Sequence, residues 1–400
     1  MVTTPLTGDV PPSSMPNSAP YSRQGLHRNK SGLGHAASNG FVKWTALTQP
    51  NYAAVLHGIN DMRYEEFPLA STLKEGTVRI EVKAVGICGS DVHYWKRGRI
   101  ADFVVKEPMV IGHESAGVVV EIGPGVRDLV VGDRVAIEPG VPCWTNRASR
   151  EGRYNLCPDI KFFATPPVHG SLANFIDHPA EFCFKLPEGV SFEEGAMCEP
   201  LSVGIHACRR GKVEPGKNVV ILGAGPIGLM TLAAAKSFGA TSLAITDISP
   251  QNIALAKKMG ATEAYCHPRT ATPQEIADYL KKMLSPYGPE IIIDCVGFES
   301  TVQTAIRSCC MGGKVVVVGM GQDNMTLPMS TVGVHELDVL GCFRYANTYP
   351  LCLSLLANKK IDVLPLVTHR LGFSEEEVVK GFDTALRSAE TKAIKVMFNL

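Results

Sequence analysis

The 400-residue sequence has no excess of either charge. Its 39 lysines and arginines are matched by 39 aspartates and glutamates, so no whole-protein field favours nucleic acid or an anionic membrane, and a small-molecule partner is expected. It also lacks a long apolar run. The longest, from Val219 to Ala235, is interrupted by Gly and Pro and too short for a convincing membrane span. The dense, even cysteine spacing of a secreted disulfide framework is missing. Twelve cysteines are instead scattered from Cys88 to Cys352, with no apolar signal-peptide core before them, so a reducing, cytoplasmic setting is expected. Residues 1–45 have one acid, Asp9, and no periodic apolar pattern; rich in Ser, Pro, Gly and Asn, they read as a disordered tail. An organelle transit peptide shares that acid-poor, Ser-rich composition, but no amphipathic Arg-bearing helix is visible. No fixed-period repeat is present.

What is there belongs to a globular enzyme-sized chain. Apolar residues make up 45% and charged residues 20%, and the length suggests two domains. From about 51 to 200, short apolar runs such as T77-V-R-I-E-V-K-A-V85 alternate with Gly-Pro-Gly and Gly-Asp turns, which predicts mostly strand, closing into a small barrel. From 218 the rhythm changes. Strands V219-V-I-L222, L243-A-I-T246, I291-I-I-D294 and K314-V-V-V-V-G319 alternate with helical patterns, predicting a parallel sheet covered by helices on both faces.

In G223-A-G-P-I-G228, three glycines follow an apolar strand and open a helix, and Asp247 ends the next strand. Gly223 permits the tight turn, Gly225 lets backbone approach a pyrophosphate, and Gly228 lets helix pack on strand. The acid can bind a ribose diol and would repel a 2′-phosphate. No arginine follows it before Arg269. NAD is therefore expected rather than NADP, and with it hydride transfer.

Upstream, Cys88 lies between two glycines in V85-G-I-C-G-S-D-V-H-Y-W95, while His113 and Glu114 stand back to back in a small, apolar run. Thiolate, imidazole and carboxylate together suit zinc. Neighbours on a regular strand point to opposite faces, so either the backbone turns at Gly112 or only one of the pair binds. Glu199 is a further carboxylate where the nucleotide half begins, and a site between halves can receive a cofactor from one side and a metal from the other.

G112-H-E-S-A-G117, with Gly123 and Val126 after it, resembles the signature of zinc-dependent medium-chain dehydrogenases. E199-P-L-S-V-G-I-H-A-C208, F163-A-T-P-P-V-H-G-S171 and G341-C-F-R-Y-A-N-T348 are similar to segments of the polyol-oxidising, sorbitol-type branch. The resemblance covers residues 51–400. It implies an α/β fold: a doubly wound parallel (Rossmann) nucleotide domain at 202–341, and a mainly β GroES-like barrel catalytic domain at 46–201 and 342–400. It implies one catalytic zinc on Cys88, His113 and Glu114, with a water held by Glu199 and Asp91 supporting His113. Tyr94, Glu199, Arg344 and Tyr345 would contact a polyol or its ketose. Ile227, Asp247, Val318, Gly319, Met320, Cys342, Phe343 and Arg344 would line the NAD site. Ser90 and His93, or the water on Glu199, would carry the proton away. Relatives are commonly homotetramers. In two-cysteine alcohol dehydrogenases a thiolate stands where Glu199 does, an arrangement that would make Glu199 the ligand and Glu114 a bystander.

Two departures follow. Relatives often carry an arginine five residues past the acid, where this chain has Asn252. Many also hold a structural zinc on four cysteines, but here Cys143 and Cys157 flank Asn146 and Ser149. Two thiols cannot close a four-thiolate site, so no structural metal is expected. A Cys143–Cys157 disulfide is the alternative, disfavoured in a reducing compartment. The remaining cysteines, including Cys198 and a Cys309–Cys310 pair placed on a helix, read as small core residues. Rival readings are a zinc dehydrogenase for another secondary alcohol and a non-catalytic NAD-binding protein on the same fold.

Overall fold

Residues 50–285 and 287–400 are described by the computed structural model; the expected disordered tail, 1–45, lies outside them. Two large sheets organise the chain. A seven-stranded sheet runs in the order Cys183–Lys185, Arg134–Ile137, Glu114–Ile122, Thr77–Gly86, Lys395–Asn399, Val367–Leu371, with Phe175–Pro179 also on Thr77–Gly86. Its pairs are antiparallel except the last, Val367–Leu371 with Lys395–Asn399. Its inward residues, among them Ile80, Val82, Val119, Val135 and Phe398, are almost wholly buried, as period-two patterning requires. The C-terminal segment thus completes the sheet begun by the N-terminal half, bringing Lys395 beside the strand that leads to Cys88 and the one that follows His113.

The second sheet has six parallel strands in the order Glu263–Cys266, Ser242–Asp247, Asn218–Leu222, Ile291–Asp294, Lys314–Val317, Asp338–Gly341. This is a doubly wound sheet whose order reverses between Asn218–Leu222 and Ile291–Asp294, the crevice where such folds bind dinucleotides. Apolar clusters cover both faces, and their strand interiors are continuous β-branched runs rather than alternating ones.

Helix Cys198–Gly211 links the two sheets. Its buried face, including Cys198, Leu201, Ile205 and Cys208, shares one cluster with Ala84, Ala116 and Ala136 of the antiparallel sheet and with Val219 and Ile293 of the parallel one. Its first turn carries Glu199. Two expectations about cysteines need correction. Helix Glu299–Ser308 stops at Cys309, whose extended backbone caps it, so the Cys309–Cys310 pair is not helical. Cys266 is exposed because it ends the edge strand of the parallel sheet, where no further strand covers it.

Candidate active site and metal centre

Strand Thr77–Gly86 delivers the chain to Cys88, which precedes helix Gly89–Arg97. The backbone N–H of Cys88 donates to Asp91 Oδ2 at 2.9 Å, fixing the turn that presents the thiol. The second loop turns at Gly112, where φ is +89° and an added Cβ would press on Leu172 and Val85. Glycine alone meets that geometry without strain. His113 lies before the strand and Glu114 opens it, so the alternation that separates neighbours begins only after the pair. Ligand atoms of Cys88, His113 and Glu114 lie within 4.8 Å of one another. Of the two backbone possibilities, the turn is the one realised.

The donor set fits zinc. A thiol, an imidazole and a carboxylate converge, the last two buried. His113 Nδ1 lies 3.2 Å from Asp91 Oδ1, yet neither atom has an aligned hydrogen bond. Such a pair is suited to orienting the ring when its other nitrogen is engaged. Burial opposes a charge on His113, but Asp91 and Cys88 outweigh it and hold its pKa well above the ordinary value.

Lys395 is a partner that the sequence reading missed. Its Nζ donates to both Glu114 oxygens, at 2.6 and 2.7 Å, and to the Ile87 carbonyl at 2.9 Å, with both side chains almost wholly buried. Each carboxylate oxygen has two lone pairs, so Lys395 leaves capacity for a metal. The available signal was a lysine inside the apolar strand Lys395–Asn399. Gly86 makes room, since a Cβ there would collide with the Glu114 carboxylate.

Glu199 is outside the three-residue cluster but within its field. Burial pushes its carboxyl up to about 7, His113 and Lys395 oppose that, and Glu114 reinforces it. The Tyr345 hydroxyl is buried without an aligned partner, though close enough to favour the Glu199 carboxylate. Burial also pushes the Tyr94 phenol up to about 12, against the nearby Arg344. The Arg344 guanidinium lies over the Phe162 ring, 3.8 Å from its centroid, and its Nη2 donates to Thr165 Oγ1 at 3.1 Å. Phe162 and Thr165 were not singled out from the sequence. Ser90 and His93 sit half-buried on helix Gly89–Arg97, where burial lowers the His93 pKa.

On the nucleotide side, Gly223 ends strand Asn218–Leu222 with φ +91°, and Gly225 caps helix Pro226–Ser237, which Ile227 and Gly228 continue. A Cβ on Gly228 would strike the Gly223 carbonyl. Asp247 ends strand Ser242–Asp247; its carboxylate accepts the N–H of Ala224 at 2.6 Å and of Ser249 at 2.8 Å, tying it to the glycine turn. Val318, Gly319, Met320, Cys342 and Phe343 meet in a cavity of about 670 Å³ at the carboxyl ends of two neighbouring strands. The glycine turn and Asp247 lie at the same edge of the sheet but do not line that cavity.

Two domain families match successive parts of the chain. The alcohol dehydrogenase GroES-like domain matches residues 74–188, and the zinc-binding dehydrogenase domain matches residues 226–358. The chain is 54% identical over 356 residues to a sorbitol dehydrogenase from Arabidopsis thaliana, covering 88% of this chain and 96% of that protein. It is 50% identical over 359 residues to an L-idonate 5-dehydrogenase from Vitis vinifera, covering 88% and 95%. Among solved structures, an oxidoreductase of unknown specificity from Escherichia coli superposes with a TM-score of 0.81 at 35% identity, covering 88% of this chain and 99% of that one. With identity this high over nearly the whole length of its relatives, and both domain families matched in order, the chain belongs to the zinc-binding dehydrogenases.

Proposed function

We propose that this protein oxidises a polyol to the corresponding ketose with zinc and NAD. The observation that carries the reading is the convergence of Cys88, His113 and Glu114 beside a buried set of polyol-directed groups, Glu199, Tyr94, Arg344 and Tyr345. Zinc, when bound, supplies Lewis acidity that lowers the pKa of an alcohol hydroxyl. NAD, held by the glycine turn and Asp247, would supply the hydride acceptor.

The chain's own residues do the rest. Glu199, with a pKa near 7, can exchange a proton at neutral pH. Tyr345 offers a buried hydroxyl beside Glu199 with no aligned hydrogen-bond partner among the described residues. Arg344, fixed by Thr165 and its aromatic bed, presents donors to several hydroxyls, a feature of little use for a simple alcohol. Ser90 and His93 supply a second proton route at the surface-facing side of their helix. Asp247 favours the ribose diol of NAD.

We read residues 46–201 and 342–400 as the catalytic domain and 202–341 as the nucleotide domain, in a cytoplasmic homotetramer. The membership of Val367–Leu371 and Lys395–Asn399 in the antiparallel sheet supports the division. Exposed Met329 and Val334 on helix Met329–Val334, and Val339 on the outer strand Asp338–Gly341, support association. No helix among the described residues is long and apolar enough to cross a membrane. A second substrate, a sugar acid, is favoured by the likeness to the L-idonate enzyme and by the buried Arg344 cation. Initial rates with sorbitol, xylitol, ribitol, arabinitol and L-idonate, each with NAD and NADP, test the reading. Turnover of none of the polyols would overturn it, and a preference for L-idonate would move the substrate to the sugar acids.

A further inference from the structure

Away from the catalytic cluster, Cys143 and Cys157 meet across the lobe formed by helix Arg147–Arg150 and the short turn Tyr154–Leu156. Their Sγ atoms are 3.6 Å apart. Asn146 lies between them. Its Oδ1 accepts the Ser149 N–H at 2.9 Å, which fixes the amide so that Nδ2 donates to both sulfurs, at 3.1 Å to Cys143 and 2.9 Å to Cys157. Asp159 adds a carboxylate 3.7 Å from the Cys143 sulfur. Two thiols and a carboxylate could be read as a metal site. The amide decides against it, because an N–H pointed at both sulfurs occupies the space a cation would need and cannot ligate.

The same arrangement suits sulfur chemistry. Asn146 favours negative charge on either sulfur, and the Thr145 hydroxyl lies 3.2 Å from the Cys143 sulfur. Cys143 is partly open to solvent and Cys157 is buried beneath it, so one thiol can meet a reagent and the other can resolve the product. Hydrogen bonding from Thr145 brings the Cys143 thiol down to about 7, and Cys157 and Asn146 contribute. Thiolate character of this kind is what makes a cysteine reactive.

The lobe is fastened to the substrate-facing segment. Asn155 Nδ2 donates to the Phe343 carbonyl at 2.8 Å, the Asn347 N–H donates to the Tyr154 hydroxyl at 2.8 Å, and Asn347 Nδ2 donates to the Gly152 carbonyl at 2.9 Å. Arg344 and Tyr345 lie between those clips.

We propose that Cys143 and Cys157 form an oxidisable dithiol, closed to a disulfide by a low-molecular-weight disulfide, and that its closure alters the hold of the lobe on residues 343–347. The Cys143 thiolate attacks one sulfur of the oxidant, forming a mixed disulfide and releasing one thiolate. The Cys157 sulfur then attacks Cys143, the second oxidant sulfur leaves as a thiolate, and it takes the Cys157 proton. Two protein thiols become one disulfide as the oxidant is reduced to two thiols. The sulfurs need only approach to about 2 Å from their present separation.

The experiment treats zinc-loaded enzyme with graded ratios of oxidised to reduced glutathione, alkylates the remaining thiols, maps the peptides by mass spectrometry and measures the polyol KM. The expected result is a Cys143–Cys157 cross-link, no glutathione retained on Cys143, and a KM change that tracks the cross-link and is reversed by dithiothreitol. Cys143→Ser should keep the starting activity and lose both responses, while Cys157→Ser should accumulate glutathione on Cys143. Glutathione persisting on Cys143 of the unsubstituted enzyme would overturn the proposal, as would a KM change surviving in Cys143→Ser, a cross-link without any KM change, or thiols reactive only after chelation. The KM arm rests on the polyol reading, whereas the peptide map does not, so a wrong substrate and a wrong dithiol fail separately.

Discussion

Replacing Lys395 with Met should expose how the candidate metal ligand Glu114 is held. In the zinc-stripped protein the variant leaves a carboxylate 1% exposed without the cation that hydrogen-bonds both of its oxygens. Removing one partner of a buried pair destabilises by about 3–5 kcal/mol. Two consequences can be measured by denaturant unfolding. Adding Glu114→Gln to Lys395→Met should recover much of the loss, giving a coupling of at least about 2 kcal/mol in a double-mutant cycle. Zinc should shrink the deficit, because the metal restores positive charge at the same carboxylate. Additive single substitutions together with a deficit that zinc leaves unchanged would refute the assignment of Lys395 as the counter-charge of Glu114.

The remaining predictions concern metal, cofactor and acid stability. Metal analysis of dialysed protein should return one zinc per chain, since Asn146 and Ser149 stand where two further thiolates would be needed; two would contradict this. Glu114→Gln should lower zinc content, whereas Glu199→Gln should keep the metal and lose turnover, and an exchange of those phenotypes would transfer the ligand role to Glu199. NAD should exceed NADP in kcat/KM by at least ~10-fold through like-charge repulsion at Asp247, with Asp247→Ser narrowing the gap; equal efficiencies in the unsubstituted enzyme would remove that role. Burial holds the His178 pKa down to about 4, with Nε2–H donating to the Glu138 carbonyl at 2.9 Å. The unfolded state therefore binds this proton first, and stability is lost as pH falls from about 6.5 to 4, by about 3 kcal/mol. His178→Gln should remove that component of the acid loss, and an unchanged pH slope would show that His178 does not supply it.

The parts of the site that could be read in the sequence are those whose chemistry is local. The glycine turn needs only the strand before it and the helix after it, and Gly223, Gly225 and Gly228 are spaced for that. The turn at Gly112 was one of two possibilities until its backbone was seen, because a strand begun one residue earlier would have parted His113 from Glu114. What stayed hidden depends on distant pairing. Lys395 reaches Glu114 across 281 positions, and Arg344 reaches Thr165 across 179; no local spacing encodes either meeting. Both arise because the C-terminal portion returns to the first sheet and the segment after the parallel strands crosses the catalytic cluster. Local motifs thus supply the donors, while topology supplies the charges around them. Glu199 illustrates the difference: its place in the first turn of a helix is legible, but its pKa near 7 follows from burial against His113, Glu114, Tyr345 and Lys395. A chain could keep every motif of this one and still hold the Glu199 proton more tightly by changing the far strand that carries Lys395, whose charge opposes the effect of burial.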